Sequence, residues 1–559
     1  MTAPHAEHTG APPEWSEADD WTPEALALLR HLRAPHRRNR AKQVLFAVYC
    51  VALILVVWGG MPSLGMFLQA RMGADYTAGG GRLLAALPSG IAAVSLATVL
   101  VVLRDALWRG PVVPPRASID WLLAHPVRPR PVLRPWFWLS CALAAFPGLV
   151  TAVGAMVAMG LMLKVGLAAA FGWCLLGALG VPLLATSAAV LVERSDRAAH
   201  WVRRLTAPVL LVVLALAAQC GFAVAGHRVG WLERVELWSG PWGWAGITAL
   251  APTRESVPGG WVAAALLLAG TAAALVLADR AASEVPLHRL RERARTAAGV
   301  VAALRTVELR AARLTVSSAA GAEPRHRLRL PVPRQAWLII PWRDATALLR
   351  SPARLGRAVL LTAPAMLCAV PAHSSRGPAS WAAVGAALVF GYLAVAQLLE
   401  PARVETDDLR RSSWSPYRTT GLMLRHAVVP VLLGGVLAVL AALVVELAGG
   451  GPAVWLAPVL VPAFVAAGLV NACRGLPRKD LLFSPRAGAG SGFGPVVFAG
   501  WYAAGPAVAV VVLAAPLSDA LRADTAAACV PVAALALALA GVLLYWVWDR
   551  AGKLRASTD

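Results

Sequence analysis

Two segments of the sequence repeat the order proline, arginine, arginine ahead of a long apolar run. They read "HPVRPRPVLRP" and "WSPYRTTGLMLRH". Proline ends a helix and forces the residue before it into an extended conformation, so each segment predicts a sharp turn between two helices. Guanidinium groups at such a turn could pair with carboxylates or phosphates. The candidate residues are Pro126, Arg128 and Arg134 in the first segment and Pro416, Arg418 and Arg425 in the second.

Residues for other kinds of chemistry are missing from the sequence. None of the lysines lies in the Gly-Lys-Ser/Thr of an ATP-binding Walker A loop. The strip "GAGSGFG" carries Phe493 where a dinucleotide-binding loop needs its last glycine. No H-E-x-x-H, G-x-S-x-G or paired-histidine spacing occurs, and the cysteines include no C-x-x-C. We therefore expect no catalytic residue, metal or cofactor, and a chain that is not itself an enzyme.

The composition is that of a membrane protein. Hydrophobic residues make up 58% of the chain and charged residues 15%, whereas soluble domains carry about 25% charged residues. The apolar runs are long enough to cross a bilayer as helices and do not alternate like the strands of a membrane β-barrel. We predict an all-α integral membrane protein with twelve spans, six in each half. The spans are Val44–Leu64, Leu84–Leu103, Trp136–Leu161, Gly166–Val192, Ala207–Ala225, Trp261–Ala278, Ala358–Val370, Trp381–Leu399, His426–Leu447, Val454–Cys473, Val496–Leu517 and Ala526–Trp548.

The basic residues predict how the spans are oriented. With a cytoplasmic N-terminus, 44 of the 52 lysines and arginines lie in segments that face the cytoplasm, and the other 8 lie in outer loops. This asymmetry follows the positive-inside rule and accounts for the net charge of +22 without nucleic-acid binding. We expect a multi-pass protein of the plasma membrane with both termini in the cytoplasm, whose first apolar run is a signal anchor.

A short amphipathic segment precedes the first span of each half. In the first half, Thr22 can cap a helix that begins at Pro23, and positions 25, 28, 29 and 32 form one apolar stripe. In the second half, Trp342, Leu348 and Leu349 belong to a similar stripe ahead of several arginines. An apolar face beside arginines at a membrane entry predicts an elbow helix lying in the interface.

These features divide the chain into six parts. We expect an N-terminal segment with the first elbow helix (1–43), a six-span half (44–278), a basic cytoplasmic linker (279–335), the second elbow helix (336–357), a second six-span half (358–548) and a cytoplasmic tail (549–559). The tryptophan-rich outer segment His227–Gly260 predicts one or two short helices at the membrane surface. The linker predicts one or two helices, acting either as a solvated tether or as a contact for anionic lipids.

An elbow helix, six spans and a helix–Pro–Arg loop between spans two and three resemble the permease subunits of ABC-2-type exporters. The resemblance covers nearly all of the chain, with two six-span units fused. It implies a separate ABC ATPase, in two copies, as the partner, together with membrane lipids and an unknown transported substrate. The linker of 57 residues from Asp279 to Gln335 departs from the family pattern.

In that family the loop between spans two and three resembles a coupling helix that docks on the ATPase. The resemblance implies that the arginines of both Pro-x-Arg segments contact the ATPase or nearby lipid phosphates. It further implies that an acidic group near the second segment pairs with basic residues of the ATPase. This group is Glu405, Asp407 and Asp408.

Other functions stay open at this point. An ion-coupled secondary transporter also uses repeats and interrupted helices, but carboxylates deep in the spans are nearly absent: Glu193, Glu400 and Glu446 lie near span ends. An integral-membrane enzyme acting on lipid-linked substrates would need a gathered group of carboxylates or histidines. A membrane scaffold would give the paired elbow and loop features no purpose.

Overall fold

The computed structural model describes residues 20–35, 42, 45, 49, 77–224, 226–305, 312, 314–316, 331–374, 378–407, 417–447, 450–475, 478–482 and 494–556. These residues form helices and turns and include no strand. They divide into two compact units, Met1–Ala320 and Gly321–Asp559.

Nine α-helices make up the described part of the first unit. They are α1 (Thr22–Arg33), α2 (Gly80–Asp105), α3 (Pro129–Met162), α4 (Leu167–Arg194), α5 (Asp196–Val224), α6 (Gly230–Trp238), α7 (Pro241–Leu250), α8 (Gly260–Ala281) and α9 (Leu287–Arg305). The most buried of the long helices is α4, which contacts α2, α3, α5, α7 and α8. Its buried face is rich in small residues, which let membrane helices approach closely.

The first part of the predicted linker is packed onto the first unit. Leu290 and Ala294 of α9 belong to one buried cluster with Ile119, Leu133 and Phe137. Residues 287–305 are therefore a helix with an apolar contact face and not a solvated tether. The rest of the predicted linker lies mostly outside the described residues.

Ten α-helices make up the described part of the second unit. They are α10 (Ile339–Arg350), α11 (Pro352–Ser374), α12 (Pro378–Leu398), α13 (Glu400–Asp407), α14 (Thr419–Arg425), α15 (Val428–Leu447), α16 (Leu456–Ala472), α17 (Gly494–Tyr502), α18 (Ala504–Ala523) and α19 (Ala526–Ala556). Here α16 is the most buried of the candidate spans and contacts α12, α15, α18 and α19. In both units, then, the fourth predicted span contacts the second, third, fifth and sixth.

Ten segments of the described chain are long and apolar enough to cross a membrane, as in a multi-pass membrane protein. They correspond to ten of the twelve predicted spans. The predicted span Val44–Leu64 lies mostly outside the described residues, and Ala358–Val370 falls in α11, which is not one of the ten. The all-helical, multi-pass architecture is confirmed, while the count of twelve and the repeat stay predictions.

Candidate functional site

The first Pro-x-Arg segment is bonded to the start of the elbow helix α1. The backbone N–H of Arg128 donates to Thr22 Oγ1 at 2.8 Å, and the N–H of Trp21 donates to the carbonyl oxygen of Pro126 at 3.1 Å. The Trp21 ring also stacks on His125, with 6.3 Å between ring centroids. We expected Thr22 to cap α1, but it is the first residue of the helix, and its hydroxyl binds the loop instead. The loop and the elbow helix thus form one structure.

Asp20 supplies the charge in this contact. Its carboxylate lies 2.8 Å from Arg128 Nε and accepts hydrogen bonds from both the hydroxyl and the backbone N–H of Thr22. The hydrogen bond from the Thr22 hydroxyl first, then the one from the Thr22 backbone N–H and last the Arg128 guanidinium keep the pKa of Asp20 below its usual range. The Arg128 side chain stays 65% exposed, so it can also face a partner.

Arg134 has a different role from Arg128. Its Nε lies 2.8 Å from Asp279 Oδ1 at the end of α8, and the indole N–H of Trp138 donates to the same oxygen at 2.9 Å. Arg130 lies 3.5 Å from the other carboxylate oxygen. Because the Asp279 side chain is only 9% exposed, this group of donors joins the start of α3 to the end of α8.

The second unit also bonds its elbow helix to the region around its Pro-x-Arg segment. Arg343 of α10 lies 2.7 Å from Glu405 of α13 and 3.4 Å from His426 Nε2. The Nδ1 atom of His426 lies 2.6 Å from Asp344 of α10, and both side chains are buried. Glu405, which we expected to face a partner, is therefore used within the unit.

Tyr417 and Arg425 complete this second contact region. The Tyr417 hydroxyl donates to the carbonyl oxygen of Ala336, just before α10, at 2.8 Å. The Arg425 guanidinium lies over the Tyr417 ring, 4.1 Å from its centroid. A cation held over an aromatic ring is partly satisfied by it, so Arg425, like Arg134, serves inside its unit.

Arg418 and Asp407 are exposed, at the start of α14 and the end of α13 respectively. Asp408 and Pro416 lie outside the described residues. Of the predicted site residues, Arg128 and Arg418 therefore offer exposed guanidinium groups beside an elbow helix, while the half-exposed Arg134 is held by Asp279. Such groups can bind a carboxylate or a phosphate in a bidentate manner.

Sequence reasoning missed the buried partners in these contacts. Asp344 is 1% exposed and lies between Ile340 and Leu348 at a spacing of four residues, on the buried face of α10. Its carboxylate stands at an otherwise apolar position of the helix, and this pattern in the sequence could have indicated a buried ion pair. The long-range pairs between residues 20 and 128 and between 134 and 279 left no signal in the sequence.

A second buried pair joins α9 to the end of α4. Arg293 lies 3.2 Å from Glu193, whose side chain is fully buried, and the N–H of Val112 donates to the same carboxylate at 3.0 Å. Gly110 has a φ of +75°, and a Cβ there would lie 2.6 Å from the Glu193 carboxylate, so glycine is required for the close approach. We expected Glu193 at a span end, and its partner is supplied by the predicted linker.

At the opposite end of the first unit, α7 is buried and not at the surface, where we had placed the whole segment. It contacts α2, α4 and α8, whereas α6 exposes Trp231 and Trp238. Helix α7 has no charged residue and approaches the chain before it closely: a Cβ at Gly243 would lie 2.2 Å from the Glu236 carbonyl oxygen. An uncharged helix with small residues can enter the bundle.

This hairpin brings a carboxylate into the helix bundle. The Ser89 hydroxyl of α2 donates to Glu236 Oε2 at 2.8 Å, beside Pro88. Burial, the main cause, and the nearby Glu233 raise the pKa of Glu236. Arg228 holds Glu233 at 2.9 Å.

Comparison of the chain with protein-family models, with curated proteins and with solved structures finds no match.

Proposed function

We propose that this chain is the permease of an ABC-2-type exporter, which moves a substrate across the plasma membrane with energy from a separate ATPase present in two copies. The observation that carries the proposal is common to both units. In each, the elbow helix is bonded to the segment between the second and third predicted spans, and an exposed arginine lies beside that contact.

A loop that receives a push from a partner must be joined firmly to the spans that it moves. In the first unit, displacement of Arg128 would move α1 with it, and the bonds from Arg134 to Asp279 would carry the start of α3 and the end of α8 along. In the second unit, the pairs of Arg343 with Glu405 and of Asp344 with His426 link α10, α13 and the end of α14. Each unit can thus respond as a body, as in hinge-like domain motions.

The decisive experiment is capture of the ATPase by the tagged full chain in mild detergent from its native membrane. We expect a stoichiometric soluble protein with a Walker A motif. Capture should weaken more than about tenfold in R128E and in R418E, since reversing one charge of a tight pair leaves like charges opposed. R254E, an exposed arginine at the other end of the first unit, is the control.

A charge swap separates the two roles of Arg128. The variant D20R/R128E restores the ion pair with the elbow helix but still presents the wrong charge to a partner. We expect capture to stay weak in the swap. Recovery of capture would show that Arg128 serves only the internal bond, and a wild-type chain that never captures an ATPase would overturn the proposal.

Glu236 favours a second candidate, an ion-coupled secondary transporter, because a buried carboxylate in a membrane bundle can bind and release a proton. Its raised pKa means that its contribution to stability is present below about pH 4.5 and is lost as the pH rises through the raised value. E236Q should abolish this loss of stability at higher pH. E255Q, which changes an exposed carboxylate, should not abolish it.

The measurement is the apparent melting temperature from about pH 4 to about pH 8, on either side of the ordinary carboxyl pKa. Transport that continues after ATP depletion, stops when the proton gradient is collapsed and is lost in E236Q would establish the ion-coupled function. A wild-type profile as flat as that of E236Q would remove the observation that favours it.

A further inference from the structure

A basic cleft of about 620 Å³ lies in the first unit between α5 and α9. This volume is within the roughly 300–1,000 Å³ typical of ligand sites. Arg203 of α5 and Arg295 of α9 line it, and Leu107, Trp108 and Val192 form an apolar part of its wall. A cleft with a basic rim and an apolar wall suits a ligand that has both an anionic and an apolar part.

The charges of the cleft are not balanced within the unit. Arg289 pairs with Asp196, and Arg293 pairs with Glu193. Arg203 and Arg295 have no ion-pair partner among the residues that the structure describes. Glu292 is the remaining carboxylate that lines the cleft. Together with Arg203 and Arg295 it leaves the cleft with one net positive charge. An anion is therefore the ligand that its charge favours.

The position of Arg203 along α5 places it at headgroup depth. The apolar run of α5 starts at Ala207, four residues later, or about 6 Å along a helix. The headgroup layer on each side of the hydrocarbon core is roughly 5–8 Å thick. Trp201, beside it, is 54% exposed, and Arg204 lies over its ring, as expected for an aromatic residue at the membrane boundary.

We propose that this cleft binds the phosphate of an anionic phospholipid headgroup through Arg203 and Arg295, with the start of the lipid's apolar part against Leu107 and Trp108. The ligand lies between α5 and α9. A bound lipid then helps to hold α9 on the first unit. The site is separate from the Pro-x-Arg contacts and does not depend on the proposed function.

The test uses the full chain in nanodiscs of phosphatidylcholine containing a minority of phosphatidylglycerol. The ratio of the two lipids retained by the purified protein is measured by mass spectrometry and compared with the bulk ratio. Each arginine near an anionic surface strengthens binding about fivefold. The enrichment of phosphatidylglycerol should therefore be about 25-fold lower in R203Q/R295Q than in the wild-type protein. R254Q, an exposed arginine at the other end of the unit, should keep it.

Two further arms decide the assignment. R203K/R295K keeps both charges and should retain most of the enrichment, which separates loss of charge from loss of fold. Inorganic phosphate should not displace phosphatidylglycerol, because it lacks the apolar part that the cleft wall contacts. Equal enrichment in R203Q/R295Q and R254Q, or displacement by phosphate alone, would overturn the proposal.

Discussion

At the scale of single residues, arginines at similar positions in the sequence pattern have different structural roles. Arg128 is held by the Asp20–Thr22 segment and stays largely exposed, whereas Arg134 is one of three donors around a nearly buried carboxylate. An ion pair with one buried partner loses more when it is broken than an exposed pair does. Arg134 therefore belongs to the internal support of the first unit.

Changing Asp279 tests this distinction. We expect D279N to lower the free energy of unfolding by about 1 kcal/mol, since charge-assisted hydrogen bonds are lost but Arg134 is half exposed and screened. R128Q, which leaves Asp279 and its donors in place, is the matched control for the apparent melting temperature. Equal effects of D279N and R128Q would mean that the two arginines have the same role.

The buried pair of Glu193 with Arg293 makes a sharper prediction. R293M should destabilise the first unit by about 3–5 kcal/mol, because it leaves a fully buried carboxylate without its partner. The double variant E193Q/R293M should recover most of that loss, as it removes both charges. The measurement is thermal unfolding of the four proteins of this cycle, and additive effects would contradict a direct interaction.

At the scale of helices, hydropathy and periodicity predicted most elements but not their contacts. The first elbow helix was predicted to begin at Pro23 and begins at Thr22, which does not cap it, and ten predicted spans coincide with long apolar helices. A helix in the linker was predicted and α9 lies there, but the burial of α7 and of one face of α9 was not predicted, because their neighbours lie far away in the sequence. Local hydropathy and periodicity do not identify contacts between helices that are distant in the sequence.

Gly243 is the residue on which the burial of α7 depends. G243A would place a methyl group 2.2 Å from the carbonyl oxygen of Glu236, so the turn between α6 and α7 must open. We expect a loss of about 1–3 kcal/mol, the usual cost of overpacking. G230A, whose added methyl group meets no atom within 4 Å, is the control and should leave the melting temperature unchanged. Equal losses of stability in G243A and G230A would show that the close approach at Gly243 does not affect stability.

At the scale of the whole molecule, the distribution of arginine predicts a defined orientation. The Pro-x-Arg segments and α9 fall where basic residues are concentrated, and the connection 251–259 falls where they are sparse. The contacts within the first unit support this grouping, because α1, α9 and the first Pro-x-Arg loop lie at the same end of it.

Reporter fusions test the orientation directly. A fluorescent protein fused after residue 559 should fluoresce, since it folds in the cytoplasm, and alkaline phosphatase inserted in 251–259 should be active, since it needs the outer side. Exchanging the two reporters is the control and should abolish both signals. A signal from either exchanged reporter would show that the first unit or the C-terminus has the opposite orientation.

The bond between Asp20 and Arg128 has a consequence for inheritance. Either residue changed alone leaves a charge unmatched at the start of α1, while a joint exchange keeps the pair. Arg128 also faces a partner in the proposed function, so in a lineage of this protein residue 20 should stay acidic and residue 128 should stay basic, although 107 residues separate them. A chimera with its first forty residues from one descendant and its Pro-x-Arg loop from another should therefore keep this ion pair.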